Sequence, residues 1–220
     1  MQLKLTFPNM KRRGGARLGA GRKRLPAGLR HTPHRSRGAH RAAHPVHVTL
    51  RAGSRSLRHQ FVAKALLGAF RAANRVGFRV AHYSIQANHV HLIVEARSAS
   101  SLSSGMRGLA VRIARRVNPV LGRRGALWVD RWHGVELTSP RQVRNALIYV
   151  LRNHIKHSVR FDAHAELNDP LSSAAAFDGF ASTGMARAGP GFAAVVAQTW
   201  LLRVGWKRHG LIRRDEVPVH

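Results

Sequence analysis

The sequence predicts an α+β fold, a ferredoxin-like β-α-β-β-α-β sandwich with a four-stranded antiparallel sheet, helices on one face and one helix added at the end. Three observations predict it. Strand-like and helix-like hydrophobic periods alternate in that order between residues 44 and 159. Only a tight turn at Asn88 separates the second and third strand patterns, so those two form a hairpin. A helical pattern separates each of the other strand pairs, as two split β-α-β units require.

The elements follow in order. HPVHVTLRA (44–52) reads as a strand, and Leu57 to Val76 as a helix ended by Gly77. FRVAHYSIQA (78–87) and residues 89–96 read as the hairpin strands. Ser98 to about Val117 reads as a helix that Asn118-Pro119 stops, followed by a GRRG loop. LWVDRWHGVEL (127–137) reads as the fourth strand. A helix then opens with Ser139 as cap and Pro140 in its first position, and runs to about His157. Residues 1–43 form a basic leader in which GGARLGAGRK (14–23) carries four glycines, too many for a regular element. Such an arm can lay Arg17, Arg22, Lys23 and Arg24 along phosphates, or stay solvated until a partner orders it. Residues 160–220 are a less periodic extension of unassigned role.

Charge narrows the partners. The formal net charge is +29, from 38 Lys+Arg against 9 Asp+Glu, so the chain attracts polyanions, and nucleic acid before membrane, since no amphipathic apolar anchor stands out. No apolar run approaches the ~18 residues of a membrane span, and no signal-peptide pattern opens the chain. A bacterial cytoplasm, close to the nucleoid, is the expected location. There are no cysteines, which excludes disulfides, thiolate chemistry and cysteine-bound zinc. Glu95 is the first acid in the chain, so a site of several clustered carboxylates has few candidates.

Two constellations carry chemistry. In NHVHLIVE (88–95), Val90, Leu92 and Val94 point to one face, and His89, His91, Ile93 and Glu95 to the other. Two imidazoles about 7 Å apart at their bases can converge on one metal ion. A wet strand face carrying two polar residues is the plainer reading. The last helix has an apolar stripe, Val143, Ala146, Leu147, Val150 and Leu151, and opposite it Asn145, Tyr149, Arg152, Asn153 and Lys156. Asn153 lies one turn beyond Tyr149, where its amide oxygen can serve a divalent metal. Arg152 and Lys156 can hold phosphates there. A phenol is a competent nucleophile toward a phosphodiester. Tyr83, the other tyrosine, shares a strand face with Ala81 and Ile85 and is expected in the core.

With NHVHL (88–92), DRWH (130–133) and IYVLRN (148–153) in this order and spacing, the chain resembles the single-tyrosine HUH transposases, the IS200-like family, and especially the REP-associated tyrosine transposases. The resemblance covers about 44–160. It implies that His89 and His91 bind the metal, Mg or Mn, with Asn153 as third ligand, and that Tyr149 is the nucleophile on a catalytic C-terminal helix. It also implies that the substrate is single-stranded or hairpin DNA, cut to a 5′-phosphotyrosine link and a free 3′-OH that can rejoin strands. Gln86-Ala87 stands where family members commonly carry Met-Pro, and His154 where many carry proline. The first bears on the hairpin and the second on the helix end. Monomer and homodimer, with the tyrosine completing its own or a partner's site, both fit. A non-catalytic or domesticated nucleic-acid-binding protein is the alternative, since the same sandwich stacks bases on its open face in RNA-recognition modules. Against it, the third strand offers histidines there and no Phe or Tyr.

Overall fold

The computed structural model describes residues 38–53, 57–157, 169–181, 195–213 and 216–218. Four strands, β1 (Val46–Arg51), β2 (Phe78–Ile85), β3 (His89–Ala96) and β4 (His133–Glu136), form one sheet in the order β2-β3-β1-β4. Every neighbouring pair is antiparallel. That order is the ferredoxin-like one. Helices α1 (Gln60–Ala73) and α2 (Ala99–Val120) bury Val62, Leu66, Phe70, Met106, Leu109 and Ile113 against Val48, Leu50, Val80, Leu92 and Val94.

The second face of the sheet is also covered, contrary to the expectation of helices on one side. Helix α3 (Pro140–Leu151) crosses it, and the extension after residue 169 packs beside α3. A second core results, in which Ile93 of β3 meets Val143, Leu147, Val150 and Leu151, with Leu201, Trp206 and Ile212 from the extension. The apolar stripe read from α3 is the stripe that seats it.

Helix α1 stops at Ala73 with Asn74 as its cap, short of Gly77, and four further elements differ from the sequence pattern, each for a local reason. Helix α2 runs through Pro119 to Val120. The proline costs one intrahelical bond, but buried Val117 anchors that turn, and Arg123 N–H closes on Asn118 O at 2.9 Å. The fourth strand is shorter than 127–137. Trp128 bridges Ala52 and Val129 N–H donates to Arg51 O, but Asp130 takes the Arg131 N–H at 2.7 Å and residues 130–132 leave the ladder. The last helix breaks at Arg152, where ψ rises to 16°, and a short helix α4 (Asn153–His157) resumes after it. His154 therefore sits beyond the end of α3, and the helix stops without proline. Finally, a bulge between Val80 and His82 shifts the register of β2. Tyr83 is buried as expected, 2% exposed against Phe70, but in the helix-layer core, while Ala81 faces the α3 core.

The hairpin before the histidines closes normally with Gln86-Ala87 in place. Gln86 N–H donates to His89 O at 2.9 Å, and the Ala87 and Asn88 carbonyls accept from Leu57 N–H and Ala52 N–H. At the other end of the sheet, Glu136 of β4 accepts the Arg41 N–H at 2.8 Å and lies 3.0 Å from His40. Partial burial works against its charge, yet the Arg41 amide and the two imidazoles His44 and His40 hold its carboxyl below the usual range.

Candidate active site

The two faces of β3 do separate work, as the alternation required. Val90, Leu92 and Val94 are fully buried in the helix-layer core. His89 and His91 turn to the α3 side with their rings 4.7 Å apart. Each ring is aimed by its Nδ1. His91 Nδ1 shares a 3.2 Å hydrogen bond with Thr49 Oγ1, its cross-strand neighbour on β1, and His89 Nδ1 one of 2.9 Å with Asn88 Oδ1. Bonds of this kind fix the tautomer and turn the Nε2 edge of the ring away from the partner.

Helix α3 brings Tyr149 to the same place. Its ring meets His91 edge-on with centroids 5.0 Å apart, and both belong to one chain. Tyr149 is half-buried, as expected of a phenol at a boundary. The other tyrosine is no rival. Burial pushes the Tyr83 phenol up to about 12.

Asn153, the first residue of α4, is 1% exposed, and neither Oδ1 nor Nδ2 has a hydrogen-bond partner. A buried amide with both ends unmet costs roughly 1–3 kcal/mol per group unless something else satisfies it. Among the described residues no three of His, Cys, Asp and Glu converge on a metal-holding point. Two imidazoles and an amide oxygen are donors that would suit a borderline or hard divalent ion.

The structure places the remaining candidates unevenly. Arg152 was read as lying on a wet, phosphate-facing stripe, but it is 4% exposed and its Nε donates to Glu216 O at 2.8 Å. The helix break at that residue turns its side chain under the extension. Arg17, Arg22, Lys23 and Arg24, and the Lys156 side chain, lie outside the described residues. Glu95 shares the histidines' face but accepts Gln198 N–H, Thr199 N–H and Thr199 Oγ1–H at 2.7–3.0 Å, so it is spent anchoring the extension.

Several residues of the site escaped sequence reading. His47 of β1 stacks 5.4 Å from His91 and 5.5 Å from Tyr149, and its buried Nε2 has no hydrogen-bond partner. Burial first, and His133 second, push it down to about 4, so it is uncharged at neutral pH. Alternation in VHVTLR sets His47 and Thr49 off the core side of β1, which was the available signal. On α3, Arg144 makes a bidentate pair with Glu216 at 2.6 and 2.7 Å and donates to Gly210 O and Leu211 O. Arg152 also holds Glu216, through the latter's backbone carbonyl, and nothing local in the sequence announces either bond.

The buried imidazoles give the fold a pH dependence with a definite sign. Burial also pushes His82 down to about 4. Between pH 4 and the unfolded value near 6.5, the unfolded chain binds more protons than the folded one, so stability falls as pH drops through that window. Each of His47 and His82 contributes at most roughly 3 kcal/mol of that loss. Urea midpoints measured from pH 7.5 to 4.5 should fall steadily, and His82→Leu should flatten the curve. A parent midpoint unchanged down to pH 4.5 would show that neither ring is buried uncharged.

Residues 43–153 match the family described as transposase IS200 like. The chain belongs to that family, one of transposases. A solved structure described as the REP-associated tyrosine transposase bound to a REP hairpin has the same fold. It is similar with a TM-score of 0.51 and 17% identity, over 64% of this chain and 82% of that one. The comparison with curated proteins returned no match. Among the described residues no helix is long and apolar enough to cross a membrane.

Proposed function

We propose that this chain cuts and rejoins single-stranded DNA, with Tyr149 as nucleophile and His89, His91 and Asn153 holding a divalent cation, Mg or Mn. The observation that carries this reading is the meeting of the Tyr149 and His91 rings, 5.0 Å apart, within one chain. A cation bound by that set supplies charge that polarises the scissile phosphate. The protein supplies the rest. The Tyr149 oxygen attacks phosphorus and gives up its proton. The bond from phosphorus to the 3′ oxygen breaks, and that oxygen leaves as a 3′-OH. The strand stays joined to Tyr149 through a 5′-phosphotyrosine, and attack by a 3′-OH reverses the step. The bond energy is conserved in the phosphotyrosine, so the cycle needs no nucleotide.

His91 and His89 are aimed by Thr49 and Asn88, and Tyr149 is carried on a helix seated in its own core, so these groups are held before DNA arrives. That the tyrosine meets the histidines of its own chain favours a site complete in one protomer. DNA is the expected partner because the net charge is +29 and because a similar protein, a tyrosine transposase, is bound to a REP hairpin in its solved structure. The base-stacking alternative loses its platform, since α3 roofs the sheet face that would receive bases.

The test is a denaturing gel with labelled hairpin DNA bearing single-stranded flanks, run with and without Mn²⁺. A shifted, protease-sensitive band that needs the metal is the expected result. Free cleavage products without an adduct, or no cleavage at all, would overturn the proposal.

A further inference from the structure

Helix α1 lies on the far side of the sheet from Tyr149, yet its outer ridge has an unusual composition. Phe61, Lys64, Gly68 and Arg71 follow one another at spacings of three and four, so they share one face, opposite the buried Val62, Leu66 and Phe70. Phe61 is 58% exposed, against 0% for Phe70 and Phe78 in the core below. Its ring lies 5.6 Å from that of His59. Lys64 and Arg71 are exposed beyond it. Gly68 is filled from α2, because a Cβ there would sit 2.5 Å from Arg116 Nη1. The Arg116 guanidinium thus completes a row of three cations that starts at an aromatic ring. Neither α1 nor α2 contains an acid.

The row begins at the end of the sheet where the histidine strand begins. Leu57 N–H, just before α1, donates to Ala87 O at 3.1 Å, and Ala52 N–H, just past β1, donates to Asn88 O at 2.8 Å. Arg58 Nη1 donates to Ile85 O at 2.7 Å. These bonds fix the start of α1 against the turn that leads into His89. From Phe61 to Arg71 the helix rises about 15 Å, the reach of two to three phosphates of an extended strand.

We propose that the α1 ridge is a track for single-stranded DNA leaving the active site, with Phe61 stacking one unpaired base and Lys64, Arg116 and Arg71 following the phosphates. The proposal deepens the proposed function and rests on it. The ring selects the occupant. Bases in a duplex are stacked on one another, so an exposed phenyl group gains a partner only from an unpaired base. The interval between exposed ring and cations matches a strand that offers a base face and then its backbone.

The experiment uses the full chain carrying Tyr149→Phe, so that binding is read without turnover, and fluorescence anisotropy on two probes. One is a DNA hairpin with single-stranded flanks, the other the same hairpin made blunt. Phe61→Ala should weaken binding of the flanked hairpin roughly 5- to 150-fold, and leave the blunt one unchanged. Phe61→Trp should restore binding. Lys64→Gln should lower the slope of log affinity against log salt by about 0.7, as one lost phosphate contact on a single strand. An abasic site at one flank position should abolish the effect of Phe61→Ala, and that position gives the register. Equal losses on both probes, or no loss with Phe61→Ala on the flanked one, would overturn the track. The adduct gel separates this from the underlying reading. If wild-type protein forms the adduct while Phe61→Ala binds normally, only the track fails. If wild-type protein forms none, the proposed function fails and the track with it.

Discussion

Replacing Tyr149 by Phe should abolish the covalent DNA adduct and all strand cleavage while leaving folding and DNA binding intact. The change removes one oxygen and no packing. The ring stays edge-on to His91 and His47, with the same contacts to the α3 core. Thermal midpoints should therefore agree within a few degrees, and hairpin affinity should stay within about threefold, less than 1 kcal/mol. Activity should fall at least about a thousandfold, since the attacking oxygen itself is removed. Tyr83 cannot substitute, because it is 2% exposed in the opposite core. A Tyr149→Phe protein that still shows a protease-sensitive band would move the nucleophile elsewhere.

His89→Ala should cost about a hundredfold or more in cleavage at saturating DNA, with the loss partly recovered by raising Mn²⁺. His89 is half-exposed at the start of β3, and its Nδ1 is bonded to the neighbouring Asn88 side chain, so its removal leaves the buried valines of that strand in place. The measurement is a metal titration of adduct formation beside a urea melt. A midpoint shift toward higher metal with an unchanged melt assigns His89 to the cation. Cleavage that is undiminished and independent of metal would remove the histidine pair from the chemistry. The same titration on Asn153→Ala tests the third donor. There the melt has its own meaning, because both ends of that amide are buried without partners. Alanine should leave the melt unchanged or raise it while weakening metal dependence.

Much of this site was legible because it rests on short periods. Alternation along NHVHLIVE separates anchoring valines from the histidines, and helical spacing puts Tyr149 and Asn153 one turn apart. Both are local rules. The first matches the observed placement, whereas the break at Arg152 puts Asn153 on α4, off the helix that carries Tyr149. What failed was non-local. A strand face drawn as open is roofed, because α3 and the extension bury Ile93, Val143 and Trp206 together, and nothing in residues 89–96 says which later segment will return to cover them. Thr49 opposite His91 depends on strand register, which pairing sets and composition does not. Arg152 reads as a solvated cation on a helical wheel. It becomes a buried donor only because the helix breaks under it and Glu216 arrives from far along the chain. The bulge in β2 belongs to the same kind, since one inserted residue reverses every face assignment that follows it.

The extension touches both halves of the site: Glu95 of the histidine strand holds Thr199, while Arg144 and Arg152 around Tyr149 hold Glu216. Synthesis runs from the first end of the chain to the last, so the strand and the tyrosine leave the ribosome before either tie can form. At about 5–20 residues per second, the nascent protein spends several seconds with its tyrosine helix lacking both arginine clasps. Completion of the fold is thus a timed event, and its clock is the translation of the segment that carries Glu216.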